Sequence, residues 1–277
     1  MSLILETEYW STAADESLPL SLTLSSSGAT KFWIRSNRDD SEKAVVGYFE
    51  GVIPAGIVSE VNAAVASAEF SAIANPSRVV PGETVRKITV RKATGPEQMR
   101  YVGEEARAPA AFAKAETAFL KSIEEAIRYP SLAIGFRADS LPSETVAGEE
   151  IGMDFHILNP GRQSLVIAAP ESWMGSETEV TAKGIRTDIP LARLDNSHAP
   201  SVAIGPGNFG PGVPESPDGK LILEPGTSLR IPIRLRLAWE PGAYDFQITI
   251  ESNLMDAHGK VQTRFEWVSP KSRLAVK

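Results

Sequence analysis

The most regular pattern of apolar and polar positions lies between Leu221 and Ile250, LILEPGTSLRIPIRLRLAWEPGAYDFQITI. Apolar side chains there alternate with polar ones, which is the period of a half-buried β-strand. The alternating apolar positions are Leu229, Ile231, Ile233, Leu235 and Leu237, and then Tyr244, Phe246, Ile248 and Ile250. Two Glu-Pro-Gly sequences, at 224–226 and 240–242, predict turns that divide the stretch into two or three strands.

The strand over 229–237 carries a basic outer face formed by Arg230, Arg234 and Arg236. Pro232 lies on the same face, and proline cannot donate a hydrogen bond to a neighbouring strand. The pattern therefore predicts an edge strand or a bulged strand. A second basic stripe, Arg86, Lys87, Arg91 and Lys92, lies in an earlier strand. Each stripe is either a solvated face that discourages aggregation or a contact surface for an acidic partner.

The rest of the second half predicts short strands between proline and glycine turns, which is typical of an all-β sandwich. Ile151–Leu158 alternates with Met153, Phe155 and Ile157 inward, and Asn159-Pro160-Gly161 follows as a turn. The segment 131–277 is therefore predicted to be one all-β domain.

The first half mixes strand and helix periods. Strands are expected near Leu18–Leu24, Ala29–Arg35, Thr84–Lys92 and Gln98–Val102, and Val45–Phe49 is a further short apolar run. Helices are expected from Pro54, with Val58, Val61 and Val65 on one face, and from Pro109 to Arg128. The order predicts a small α+β domain over 1–130, with an antiparallel sheet and two helices in a ββαββα-like order.

A long segment rich in glycine and proline, Pro200–Asp218, has no clear period. Loops of this length in compact domains are usually either disordered or used for binding. Under the binding hypothesis, Asn208 and Phe209 of this loop, together with Arg230, Arg234 and Arg236, would contact a partner protein.

Composition narrows the classes of function. The net charge is −7, which argues against non-specific nucleic-acid binding through a basic surface. The chain has no cysteine, which excludes disulfides, thiolate nucleophiles and cysteine-ligated metals. No apolar run is long enough for membrane insertion, and the N-terminus MSLILETEYW is unlike a signal peptide. These features predict a cytoplasmic protein.

The sequence contains few motifs that could support catalysis or bind a metal or cofactor. The three histidines, His156, His198 and His258, share no metal-ligand spacing. There is neither a Gly-x-Ser-x-Gly elbow nor a glycine-rich phosphate loop. We therefore predict no catalytic, cofactor-binding or metal-binding residues.

Two segments resemble known domains. MDFHILNPG at 153–161 is similar to the strand and turn that open many bacterial immunoglobulin-like domains. LEPGTSLRIPIRL at 223–235 and EPGAYDFQITI at 240–250 resemble their last strands, with Tyr244 near the tyrosine-corner position. The resemblance covers roughly residues 140–268 and implies an immunoglobulin-like sandwich used for binding or as a spacer. The first half is similar to small bacterial α+β domains in element order alone.

Three functions remain open. The first is a non-enzymatic protein-binding protein, for example a bacterial immunity protein that neutralises a toxin by direct binding. The second is a structural or adaptor component of a bacterial assembly such as a secretion system, using strand addition. The third is an enzyme with a site between the domains, formed by the 37–43 and 196–218 loops.

Overall fold

The structure, a computed structural model, describes residues 4–13, 20–37, 45–75, 84–92, 94–103, 108–175, 177–189 and 199–277. This part of the chain is mostly β-strand, with several sheets and three α-helices. It forms two compact units: an N-terminal unit from Met1–Arg35 and Gly47–Ser131, and a C-terminal unit from Ser36–Val46 and Leu132–Lys277. Separate domains at 1–130 and 131–277 stay a prediction.

The N-terminal half contains an antiparallel sheet and the three helices. Its elements are β1 (Ile4–Ala13), β2 (Leu20–Ser25), β3 (Ala29–Ile34), β4 (Val45–Val52), α1 (Ala55–Val65), α2 (Ala68–Ser71), β5 (Thr84–Lys92), β6 (Gln98–Gly103) and α3 (Ala110–Ala126). The strands lie in the order β4-β3-β2-β1-β5-β6.

The helices predicted after Pro54 and Pro109 are confirmed, because each proline directly precedes the first helical residue. Each helix buries one apolar face. In α1 this face includes Val58, Val61 and Val65, and in α3 it includes Phe112, Phe119 and Ile123. An ion pair of 2.6 Å between Lys121 and Glu60 also joins α3 to α1. None of the helices in the described ranges is long and apolar enough to cross a membrane.

The predicted element order is wrong before α1, where the structure has four strands instead of two, and the prediction of two helices is wrong because α2 is a third, separate helix. The Val45–Phe49 run belongs to β4, and β1 was missed. β1 is a central strand that pairs with β2 on one side and β5 on the other. Glu6 and Glu8 interrupt its apolar pattern, although its threonine and aromatic residues favour a strand.

The remaining strands belong to the second half of the chain. They are β7 (Pro130–Asp139), β8 (Glu144–Thr145), β9 (Glu150–Leu158), β10 (Leu165–Ala168), β11 (Glu179–Arg186), β12 (Ser201–Ala203), β13 (Lys220–Leu223), β14 (Ser228–Arg236), β15 (Gly242–Asp256), β16 (Val261–Val268) and β17 (Ser272–Val276).

Two sheets form the C-terminal unit and enclose an aromatic core. One has the order β14-β9-β7, and the other has the order β12-β11-β15-β10-β13, with β16 and β17 also pairing with β15. Phe136 of β7 lies 5.2 Å from Trp267 of β16, and Phe155 of β9 lies 6.2 Å from the same ring, measured between centroids. Because these side chains interdigitate, the unit is a β-sandwich with its core between the sheets.

The stretch Leu221–Ile250 contributes three strands, but they do not pair with one another as neighbours. β13 and β15 belong to one sheet and β14 to the other. The first Glu-Pro-Gly sequence forms a tight turn in which Thr227 N–H donates to the Glu224 carbonyl at 3.1 Å. Gly226 has φ +74°, which glycine adopts without strain. Each of the two Glu-Pro-Gly turns therefore connects a strand of one sheet to a strand of the other.

Candidate functional site

Strand β14 lies at the end of its sheet, as Pro232 predicts. It pairs with β9 along its length, from Ser228 opposite Leu158 to Arg236 opposite Glu150. On the other side, Gly210 N–H donates to the Pro232 carbonyl at 2.9 Å. The backbone of Pro232 therefore points away from β9, so its missing N–H costs no hydrogen bond between these strands.

Part of this outer edge is covered by residues Gly205–Gly210, which we name the cap. Phe209 forms an antiparallel bridge with Ile233. The Asn208 side chain donates from Nδ2 to the Arg234 carbonyl at 3.1 Å and accepts at Oδ1 from Gly205 N–H at 3.0 Å. The structure thus brings together Asn208, Phe209 and Arg234, three of the five residues predicted to contact a partner.

The cap is held from behind by the turn at Trp173 and Met174, which the sequence did not predict. Phe209 meets the buried Trp173 ring edge to face at 5.4 Å. Trp173 Nε1 in turn donates to the Ala168 carbonyl at 3.3 Å. Gly205 lies so close to the Met174 side chain that a Cβ atom there would require this side chain to move.

Met174 itself is unusual in two respects. Its φ of +78° is uncommon for a residue other than glycine, and its side chain is 59% exposed. An exposed apolar side chain held in a strained backbone beside the cap adds an apolar contact point to this edge. No sequence signal marks it, because both its exposure and its nearness to Gly205 depend on the tertiary fold.

The basic face of β14 is partly neutralised by β9. Arg230 pairs with Asp154 at 2.8 Å, and Arg234 pairs with Glu150 at 3.7 Å, while the arginine side chains remain 63% and 57% exposed. The hydrogen bond to Asp154 raises the pKa of Arg230. Arg236 lies opposite Glu150 in the register and is exposed. The face therefore alternates charge rather than being uniformly basic.

The described histidines occupy ordinary surface positions. His156 is half-buried beside Asp139 at 3.5 Å, and His258 lies in an exposed turn. The third, His198, lies outside the described residues. In the described ranges, no group of three or more histidine and carboxylate side chains is arranged to hold a metal ion. Most of the 37–43 loop and residues 196–198 of the hypothetical enzyme site also lie outside these ranges.

No protein-family model and no curated protein matches this sequence. Solved structures with partial similarity include the ASH/PapD-like domain of human CEP192, at 11% identity and TM-score 0.28, covering 52% of this chain and 83% of that chain. The class 5 fimbriae chaperone CfaA matches at 12% identity and TM-score 0.25, covering 52% and 57%. Spo0M, a sporulation control protein from Bacillus subtilis, matches at 12% and 0.29, covering 52% and 49%. TM-scores this low establish neither a shared fold nor a shared function.

Proposed function

We propose that this chain is a non-enzymatic protein-binding protein that takes up an extended segment of its partner at the outer edge of β14. The observation that carries the proposal is the position of β14 at the end of its sheet, with a cap that covers only its middle. Edge strands present backbone donors and acceptors that an added strand can satisfy.

The uncovered positions flank the cap. Arg230 and Arg236 have the same alternation as Pro232, so their backbone groups point to the outer edge. Within the part of the chain that the structure describes, these outward groups have no hydrogen-bond partner. A partner strand could pair at either flank while its side chains meet the arginines. At Arg230, acidic side chains on that strand would compete with Asp154.

The finer version of the proposal is a bacterial immunity protein of the cytoplasm, whose C-terminal unit is an immunoglobulin-like sandwich preceded by an α+β domain. Two observations support the immunoglobulin-like assignment. The unit consists of two facing sheets, and the Tyr244 hydroxyl donates to the Glu240 carbonyl four residues earlier at 2.8 Å. A buried tyrosine bonded back to the preceding corner is a feature of many such domains.

The test uses the full chain as bait in a lysate of its source organism, followed by affinity measurement with the captured protein or a neighbouring-gene toxin. Arg230→Glu with Arg236→Glu should weaken binding by about tenfold or more, because both flanks of the edge become acidic. Arg264→Glu with Arg273→Glu is the matched control, since these are also two exposed strand arginines, in the other sheet.

Equal affinity of the two double variants would place the partner elsewhere. No interaction at about micromolar concentration would remove the proposal.

The second candidate is a structural or adaptor component of a bacterial assembly, in which copies of this chain associate through the same edge. The exposed flanks of β14 favour it, because an unpaired edge can also receive a second copy. Light scattering should then show an oligomer that the Arg230→Glu, Arg236→Glu variant dissociates. A strictly monomeric protein would exclude association between copies.

A further inference from the structure

The C-terminal unit contains a partly enclosed cavity of about 400 Å³ near one end of the sandwich. Three aromatic side chains, Phe136, Phe246 and Trp267, contribute to its wall together with Leu158 and Pro270. Every residue that lines the cavity belongs to the C-terminal unit. The cavity is distinct from the β14 edge, because neither β14 nor the cap contributes to it.

The wall is built into the regular structure. Phe136, Phe246 and Trp267 come from β7, β15 and β16, and each is almost completely buried. The Trp267 indole Nε1 is buried without a hydrogen-bond partner in the described part of the chain. Because these wall residues stand on paired strands, the cavity exists before any ligand arrives. Its volume lies within the range of about 300–1,000 Å³ typical of small-molecule sites.

The few polar groups of the wall are largely satisfied. The Ser269 hydroxyl accepts from Ile248 N–H at 2.9 Å and donates to the Pro270 carbonyl at 3.0 Å. Arg137, the one charged residue of the wall, pairs through Nε with Asp139 at 2.8 Å. The wall therefore carries no uncompensated charge, and burying an ionic group there would be costly.

We propose that this cavity is a binding site for a small, neutral, mainly apolar molecule. The half-buried or exposed side chains of Leu158, Pro160 and Pro270 would supply apolar contact surface for it, and the compensated charge of the wall selects against anions and cations.

The test is a fluorescence titration of the full chain with phenylnaphthylamine, a neutral aromatic probe, and with anilinonaphthalene sulfonate, its anionic relative. Ala138→Leu places extra methyl groups in the cavity, because Ala138 lines it. Ala275→Leu is the matched control, since Ala275 is also a half-exposed alanine in a strand of this unit but does not line the cavity.

The wild type should bind the neutral probe saturably at one site. Ala138→Leu should weaken this binding by about tenfold, and Ala275→Leu should change it by less than about twofold. Ser272→Leu, at another lining position, provides a second filled variant if Ala138→Leu does not fold. The nitrogen–proton NMR signal of the Trp267 indole should shift on titration.

Three results would overturn the proposal: no saturable binding, equal weakening by the cavity variant and its control, or a preference for the anionic probe.

Discussion

The arginines of the N-terminal sheet and those of β14 have different environments. In the N-terminal unit, Arg86 of β5 reaches α3 and pairs with Glu116 at 2.9 Å, with side-chain exposures of 26% and 11%. Arg100 of β6 donates to the Ser71 carbonyl at the end of α2, at 2.6 Å. In β14, by contrast, Arg230 and Arg234 pair across to Asp154 and Glu150 of β9 and remain mostly exposed.

The difference teaches that an arginine of a strand takes its role from the layer that covers its face of the sheet. Arg86 and Arg100 lie on the sheet face that α2 and α3 cover, so their charges attach helices to strands. On β14 the cross-strand pairs remain in water, because the Arg230 and Arg234 side chains are mostly exposed. Exposed pairs contribute little stability and are screened by salt. We therefore expect the first group to stabilise the fold and the second to remain available to a partner.

The largest expected effect is a loss of stability when the Arg86 side chain is truncated. Comparing it with the truncation of Arg234 tests the contrast directly. Arg86→Ala should lower the free energy of unfolding by about 1.5–3 kcal/mol, because it removes a charge-assisted hydrogen bond to the nearly buried Glu116 carboxylate. Arg234→Ala should change it by less than about 1 kcal/mol. Urea denaturation followed by circular dichroism measures both.

Equal losses of unfolding free energy in the two variants would contradict the proposed difference between Arg86 and Arg234. High salt provides a further check, since it should weaken an exposed pair more than a partly buried one.

An intermediate effect is expected from opening the cap. Asn208→Ala removes the bonds to the Arg234 carbonyl and from Gly205 N–H, and it should cost about 1–2 kcal/mol. Hydrogen exchange of Gly210 N–H should accelerate, because the cap then opens more often. Asn208→Asp separates the two bonds: it keeps the acceptor for Gly205 but loses the donor to Arg234.

If the β14 edge is the binding surface, Asn208→Ala should leave partner affinity unchanged or raise it, since a looser cap competes less with an added strand. A loss of affinity would mean that the partner binds the cap itself.

The sequence predicted strands and faces well where the signals are local. Alternation placed Ile231 and Ile233 in the core, and Pro232 placed β14 at an edge. Pairing was not predictable in the same way, because β14 lies against β9, which precedes it by more than sixty residues. The two strands that flank a Glu-Pro-Gly turn can pair with each other as a hairpin or belong to different sheets. Which of these forms depends on how all the strands of the unit compete for pairing partners.

In the candidate site, too, only the residues with a local sequence signal could be predicted. Asn208 and Phe209 were predicted because a glycine- and proline-rich loop stands out in the sequence. Trp173 and Met174 were missed, since they approach the loop only through folding and an isolated tryptophan is typical of any core. Likewise, the sequence does not predict that Asp154 and Glu150 neutralise the arginines, because their proximity depends on the register of β9 and β14.

The smallest expected effect concerns Tyr48, on the face of the N-terminal sheet opposite the buried Phe32 and Phe49. Tyr48 packs against Trp33 at 4.8 Å between ring centroids. Burial, and then the charge and hydrogen bonding of Glu50, raise the pKa of Tyr48 to about 12. The folded pKa lies above the unfolded value of about 10, so the tyrosine's contribution to stability is complete below pH ~10. It should be lost as the pH rises towards 12.

Tyr48→Phe should remove this part of the pH dependence while keeping the ring contact with Trp33. The measurement is the difference in unfolding free energy between wild type and variant across this alkaline range, which cancels the titration of lysines common to both. The effect should be modest, because Tyr48 is only half-buried and solvent screens its charge. If the difference is independent of pH, Glu50 and burial do not hold this hydroxyl in its neutral form. The face of the N-terminal sheet around Tyr48 would then be as open to water as that of β14.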